Sequence, residues 1–220
     1  MTVFGPAIAA AAGALGAGSA VVFPNPHPLT SVVAATAPGV VNTAKGRPAD
    51  QAVALWLVGD EPWADFAAVL DLDDATRVFA RELLVRERVT LLLPLVRGRV
   101  PDRARPATRD GHALVFGACW DPLRPILAGA GPLHVSSANR TGHPPVASPA
   151  EARAMFPPDV HVLHATDATD DAPAAGRAAT TTLRVGRNHT LTHTRSGAQD
   201  REHGGPEGYL ARLRSVYVRA

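Results

Sequence analysis

With 46% apolar and 19% charged side chains over 220 residues, the chain has the composition of a folded globular protein and not of a disordered one. Its 22 basic and 20 acidic residues leave a formal charge of +2. Cys119 is the sole cysteine, which excludes an internal disulfide and a multi-cysteine zinc site and fits a reducing cytoplasm.

The apolar opening stretch, residues 4–23, has no lysine or arginine ahead of it and is interrupted by glycine and proline. It predicts a small-residue helix over 6–16 and a buried strand over 19–24, not a secretory leader. No unbroken apolar run is long enough to span a bilayer, so a soluble chain with no membrane partner is expected. Residues 52–58 and 89–95 are nearly continuous apolar runs, the pattern of strands covered on both faces. Between them, Val78, Phe79, Leu83 and Leu84 recur at helical spacing, with Asp73 or Asp74 placed to cap the helix. Residues 113–119 predict another strand, followed by a short helix with Asp121 as cap and Pro122 at its first position. Residues 133–137 begin as a strand and then deliver Ser136, Ser137, Ala138 and Asn139, groups too small and polar to fill a core.

Ser148 and Glu151 have the spacing of a capping box. Strands are expected over 160–165, 180–185 and 190–197, the last two joined as a hairpin through Gly186, Arg187 and Asn188. An amphipathic helix closes the chain from about Tyr209 to Val218. Helical and strand patterns intermix with no internal repeat, which argues for one α/β domain. Residues 1–199 form its body, with 200–220 a polar linker and terminal helix docked on it.

Several familiar chemistries are excluded. Gly13, Gly16 and Gly18 follow a helix and precede a strand, the reverse of a dinucleotide-binding turn. His161 and His164, three apart on an alternating strand, face opposite ways and make a poor metal pair. No nucleophile elbow, zinc-protease helix or Walker loop occurs. Two segments remain. Lys45 is the only lysine among the 22 basic residues. In an extended segment Lys45 and Arg47 would share a face, with Gly46 allowing close approach, and so outline an anion site. Ser137 and Asn139 likewise share a face where a strand runs out, the usual place for ligands in open α/β sheets.

In this order the pieces resemble the YrdC-like threonylcarbamoyl-adenylate synthases. Those proteins show a helix, a strand entering a proline turn, K-x-R, S-x-N, a Ser-Thr strand and a late R-x-G. Here the corresponding residues are Lys45 and Arg47, Ser137 and Asn139 with Gly142, Thr180 and Thr181, and Arg195 with Gly197. The resemblance spans residues 8 to 198. It implies an α/β fold, a single twisted mixed sheet with flanking helices around a positively charged concave cavity. The implied activity is nucleotidyl transfer from ATP, combining an amino acid and bicarbonate into a carbamoyl adenylate with release of pyrophosphate, in the service of tRNA modification. Lys45 and Arg47 would neutralise phosphate and carboxylate groups, and Ser137, Asn139, Thr181 and Arg195 would hold the nucleotide. Mg2+ is expected on the phosphates, although no carboxylate pair marks a seat for it.

The departures lie on the acceptor side. The proline turn reads Pro24-Asn25-Pro26-His27-Pro28 in place of the family's threonine-rich sequence, Trp56 replaces a histidine, Arg86-Glu87-Arg88 replaces a Pro-Gly-Pro, and an expected arginine falls near Gly117. Asn25, His27 and Trp56 are therefore the candidates for reshaped substrate binding, with an acceptor other than threonine. The arginines at 97, 99, 103, 105 and 109 raise an alternative, a catalytically lapsed module binding tRNA or double-stranded RNA, or an accessory protein keeping only the fold. No aromatic residue interleaves that patch, which weakens the RNA reading.

Overall fold

The computed structural model describes residues 5–163 and 176–217. Its ten strands are β1 (Val21–Phe23), β2 (Val32–Ala35), β3 (Ala54–Trp56), β4 (Thr90–Pro94), β5 (Thr108–Arg109), β6 (His112–Phe116), β7 (Leu133–Ser137), β8 (His161–Val162), β9 (Thr182–Val185) and β10 (Leu191–Arg195). They form one mixed sheet in the order β10-β9-β4-β6-β3-β7-β2-β1-β8, with β5 paired to β6. The β3–β6, β4–β9 and β1–β8 pairs are parallel and the others antiparallel. The helices are α1 (Gly5–Gly16), α2 (Pro38–Ala44), α3 (Asp60–Ala67), α4 (Asp74–Glu82), α5 (Arg124–Ala130), α6 (Pro149–Met155), α7 (Ala198–Arg201) and α8 (Pro206–Tyr217). This is an α/β fold built on a single mixed sheet with flanking helices.

The alternation of side chains along each strand decides which helix covers what. On one face, Leu55, Leu91, Leu93, Val115 and Leu183 meet Trp63 and Phe66 of α3, Phe79 of α4, and Tyr209 and Leu213 of α8. At the other end of that face, Val33 and Ala35 meet Val41 of α2 and Ala152 of α6. On the reverse face, Phe23, Trp56, Phe116 and Leu133 meet Leu15 of α1 and Ile126 and Leu127 of α5. Thr90 of β4 and Leu114 of β6 lie on that face too, outside the buried members of this cluster. Each fully buried leucine contributes roughly 1.5–3 kcal/mol, so the covered areas hold the sheet and leave the uncovered one available for a ligand.

Local signals are honoured with informative exceptions. Asp73 caps α4, its carboxylate accepting from Thr76 N at 2.8 Å. Ser148 caps α6, but Glu151 reaches Ala147 N at 2.7 Å instead of the cap's own amide, so the box closes one residue early. Asp121 does not cap: its carboxylate is taken by Arg124 Nε at 2.9 Å, and a 3-10 turn (Asp121–Leu123) leads into α5. The terminal helix starts at Pro206, ahead of the apolar periodicity. Of the expected strand over 160–165, only His161 and Val162 pair, and His164 lies outside the described residues.

Candidate functional site

A cavity of about 190 Å3 opens on the uncovered face. Its floor comes from five adjacent strands: Val32 of β2, Val135 and Ser137 of β7, Ala54 of β3, Leu114 and Phe116 of β6, and Thr90 of β4. Register explains this, since Val32 lies opposite Ser137, Ala54 opposite Val135 and Thr90 opposite Phe116, with Leu114 two residues from Phe116, which places all seven side chains on one face. The walls come from distant loops, with Asn25 and Thr30 on one side, Arg47 on another, and Thr180 and Arg195 on a third. No aspartate or glutamate is among the lining residues, so two guanidinium groups set the sign of the field.

Lys45 and Arg47 do not lie side by side on an extended segment. Lys45 is the last residue of the α2 turn, and Gly46 takes a left-handed φ of +63°, reversing the chain. Lys45 is 4% exposed and absent from the cavity lining. Its ammonium donates to Ser137 O, and at 2.8 Å to both Asn139 O and Asn139 Oδ1. All three of its donors are thereby used. Burial, aided by the charge of Arg47, pulls the Lys45 pKa down to about 7.

Asn139 is as fully committed. Its Oδ1 also accepts from Ser137 Oγ at 2.7 Å, and its Nδ2 donates to Arg140 O at 3.1 Å and His143 O at 2.9 Å. Lys45 and Asn139 therefore tie α2 to the end of β7 and present the Ser136–Ser137 segment to the cavity.

Arg47 faces the space that this knot frames. Its Nε donates to Asn42 Oδ1 at 2.5 Å, and Asn42 is fixed in turn by Ala49 O and Gln51 O. Its Nη2 is buried without an acceptor. Asn25 mirrors it, with Nδ2 on Thr30 O at 3.0 Å and Oδ1 buried without a donor. Unpaired buried polar atoms cost about 1–3 kcal/mol each, and a bound ligand could recover that.

The Ser-Thr strand is offset by one residue from expectation. Thr180 lines the cavity and shares a 2.6 Å hydrogen bond with Thr90 Oγ1. Thr181 is fully buried on the opposite side, where its Oγ1 accepts from Asp200 N at 3.3 Å. A period of two sends neighbours to opposite sides, and the cavity-lining residue is the even-numbered one. Arg195 stands at the rim and donates Nη2 to Thr180 O at 3.1 Å. Its position depends on Gly197, where an added Cβ would lie 2.2 Å from Thr181 N. Asp200 holds that crossing by accepting from Gly197 N at 3.1 Å and pairing with His193 Nε2 at 2.7 Å.

Two acceptor-side candidates lie elsewhere. His27 is exposed, because the turn buries Asn25 and Leu29 and leaves His27 outward. Trp56 is 1% exposed and packs edge-on between Phe23 and Phe116, at 5.8 and 5.4 Å. It shares the face of the floor residues and packs beside them. Thr30, Thr90, Ser136 and Thr180 complete the polar lining; of these the sequence pattern points to Ser136 and Thr180 but carries no signal for Thr30 or Thr90. Among the described residues no three His, Cys, Asp or Glu side chains group as a metal site, and no helix is long and apolar enough to cross a membrane. In the arginine-rich stretch, Arg105 pairs with Asp102 at 3.0 Å and Arg109 with Asp110 at 3.7 Å.

No family model matches the chain, and no curated protein does. Solved structures do. Sua5 from P. abyssi complexed with L-threonine superimposes with a TM-score of 0.64 at 19% identity, over 86% of this chain and 54% of that one. E. coli YciO gives 0.60 at 16% identity, over 86% and 88% of the two chains. Full-length HypF in its phosphate- and nucleotide-bound form gives 0.62 at 15% identity, over 88% of this chain and 29% of that one. The chain thus spans about half the length of the Sua5 structures. What the likeness establishes is the fold, that of the Sua5 and YciO (YrdC-like) proteins.

Proposed function

We propose that the cavity binds the phosphates of ATP and that the chain catalyses nucleotidyl transfer of the carbamoyl-adenylate type. The observation that carries this reading is the pair of buried, unpartnered atoms Arg47 Nη2 and Asn25 Oδ1 in a cavity lined by two arginines and no carboxylate. Phosphate oxygens suit a guanidinium fork, and a sugar hydroxyl or an amino group suits the amide oxygen. The space is smaller than the ~300–1,000 Å3 of pockets that enclose a whole drug-sized ligand, so the reacting phosphates sit inside and the nucleoside extends past Arg195. The fold's occurrence in a Sua5 bound to L-threonine and in a nucleotide-bound HypF supports the same reading.

In the proposed sequence, the amino group of an amino acid bonds to the bicarbonate carbon with loss of water, and an oxygen of the resulting carbamate attacks the α-phosphorus of ATP. The bond from that phosphorus to the bridging oxygen breaks, and pyrophosphate leaves. Gathering these anions is the main obstacle, so fixed positive charge and orientation supply most of the catalysis. Arg47 takes the central phosphates, Arg195 the rim, and Ser137 and Thr180 orient the nucleotide through their hydroxyls. Lys45 acts from behind, contributing charge and holding the wall. The donor set does not fit a protein-held Mg2+, since no carboxylate is among the cavity-lining residues. Asn25 replaces a wall residue of the resembled family, which favours an acceptor other than threonine. Pyrophosphate–ATP isotope exchange, run with bicarbonate and each amino acid in turn, tests this. Exchange above background with an amino acid other than threonine is expected, a sharp maximum with threonine defeats the altered acceptor, and no exchange with any of them defeats the activity.

A further inference from the structure

Three positions at which the sequence departs from the resembled family, Trp56, Arg88 and Gly117, come together around a second, much smaller hollow of about 30 Å3. It adjoins α3, α4 and α5 and is separated from the main cavity by the Trp56–Phe116 ring pair. Its remaining wall includes Arg81, Arg124 and Cys119.

Three guanidinium groups here face two carboxylates. Arg81 pairs with Asp60 at 3.1 Å and Arg124 with Asp121 at 2.9 Å, and both aspartates are largely in water. Glu87, next in sequence, turns away to accept from Tyr209, Arg212 and Tyr217. Arg88 has no side-chain hydrogen bond or ion pair among the described residues; the Arg124 hydrogen bond, helped by the charge of Arg88, holds the Asp121 carboxyl below the usual range, but that carboxylate is already engaged by Arg124. It sits in a left-handed conformation, φ 56°, at the end of a π-helical turn (Leu83–Glu87), an element that gathers at functional sites.

A second observation is independent of charge. The indole Nε1 of Trp56 is buried with no acceptor, and Trp56 lines this hollow but not the main cavity. A buried unsatisfied N–H is costly, and an anionic oxygen would satisfy it beside the Arg88 guanidinium, which has no direct acceptor among the described residues. Cys119 suits this role too, because burial pushes its thiol up to about 11 and keeps it a neutral lining group.

We propose that this hollow is a carboxylate-binding site, built by Arg88 and the Trp56 indole N–H with Arg81 and Arg124 around them. The volume admits a carboxylate head and little more, and a planar two-oxygen group matches the guanidinium geometry. The site stands apart from the nucleotide reading and would hold even if ATP did not bind. The carboxylate is either a free small ion or the end of a larger organic acid.

Isothermal titration of the full chain at low salt with formate, and separately with succinate, tests the proposal on wild type, Arg88→Met and Trp56→Phe. Saturable formate binding is expected, weakened at least tenfold in Arg88→Met and several-fold in Trp56→Phe. Equal affinity for formate and succinate identifies the free ion, and tighter succinate binding identifies a tethered carboxylate. Arg88 is half-buried, and methionine keeps its aliphatic stem, so that variant reads the site even if Trp56→Phe is unstable. No saturable binding of either acid, or the same affinity in Arg88→Met as in wild type, overturns the proposal.

Discussion

The knot around Lys45 and the cavity wall beside it use the same kinds of residue and leave them in opposite states. In the knot, the three donors of Lys45 and both ends of the Asn139 amide are committed to partners within the chain. In the wall, two residues further on, Arg47 keeps a buried donor free, and Asn25 keeps a buried acceptor free. A basic residue or an amide in a suggestive pattern is therefore ambiguous until its partners are known. The committed group builds the site and the uncommitted one addresses the ligand.

The largest test of that contrast is Lys45→Met. It strands Ser137 O and Asn139 O without their charged donor, and a loss of ~2–4 kcal/mol of stability is expected in chemical denaturation, with nucleotide affinity falling alongside it. An unchanged denaturation midpoint would mean that the knot is not structural. Next is Gly197→Ala, whose Cβ would meet backbone at 2.2 Å. It should cost ~1–3 kcal/mol and loosen Arg195 from Thr180, and a fully stable variant with wild-type affinity would contradict the crossing's role.

Smaller effects separate the two adjacent threonines. Thr181→Val should lower stability by about 1 kcal/mol and spare nucleotide affinity, whereas Thr180→Val should weaken nucleotide binding by more than Thr181→Val does. The reverse pattern would place the wrong face in the cavity.

Much of this was legible in the sequence, for reasons that differ by element. The strands β3 and β4 announce themselves as nearly unbroken apolar runs, although only β3 is buried throughout, Leu92 and Pro94 of β4 being partly exposed. The helix α4 shows its apolar periodicity and its Asp73 cap. By contrast, β2 is four residues long and α2 opens on Pro38 without a side-chain cap, so neither carries a pattern strong enough to read. At the site, spacing located the Lys45, Arg47, Ser137 and Asn139 segments but assumed extended geometry where Gly46 reverses the chain. Thr180 and Thr181 are equivalent in sequence, and only the pairing of Thr90 with Thr182 determines which of them faces the floor. The placement of Trp56 depends on the aromatic rings on either side of it, which come from strands far away in sequence.

The smallest effect is a shift in titration. Lys45 titrates near 7 because burial and Arg47 both oppose its charge. The folded state then binds fewer protons than the unfolded chain above about pH 7, so this group's contribution to stability rises with pH from about 7 until the unfolded lysine also titrates, near ~10.4. Arg47→Met removes the like charge and should raise the Lys45 pKa, measurable by NMR of the lysine side chain. No movement, or a downward one, would show that the two cations are uncoupled. An anion bound near Lys45 favours its charged form, so nucleotide binding above pH 7 should take up protons, seen as a buffer-dependent heat in calorimetry.

Calorimetric titration of ATP into the wild-type chain and into Arg47→Met, at one fixed ionic strength, goes to the centre of the account. It predicts saturable binding to the wild type and a loss of about 2 kcal/mol, roughly thirtyfold, in a variant whose stability changes by less than ~1 kcal/mol. Equal ATP affinity in the two proteins, or no saturable binding to the wild type, would contradict it.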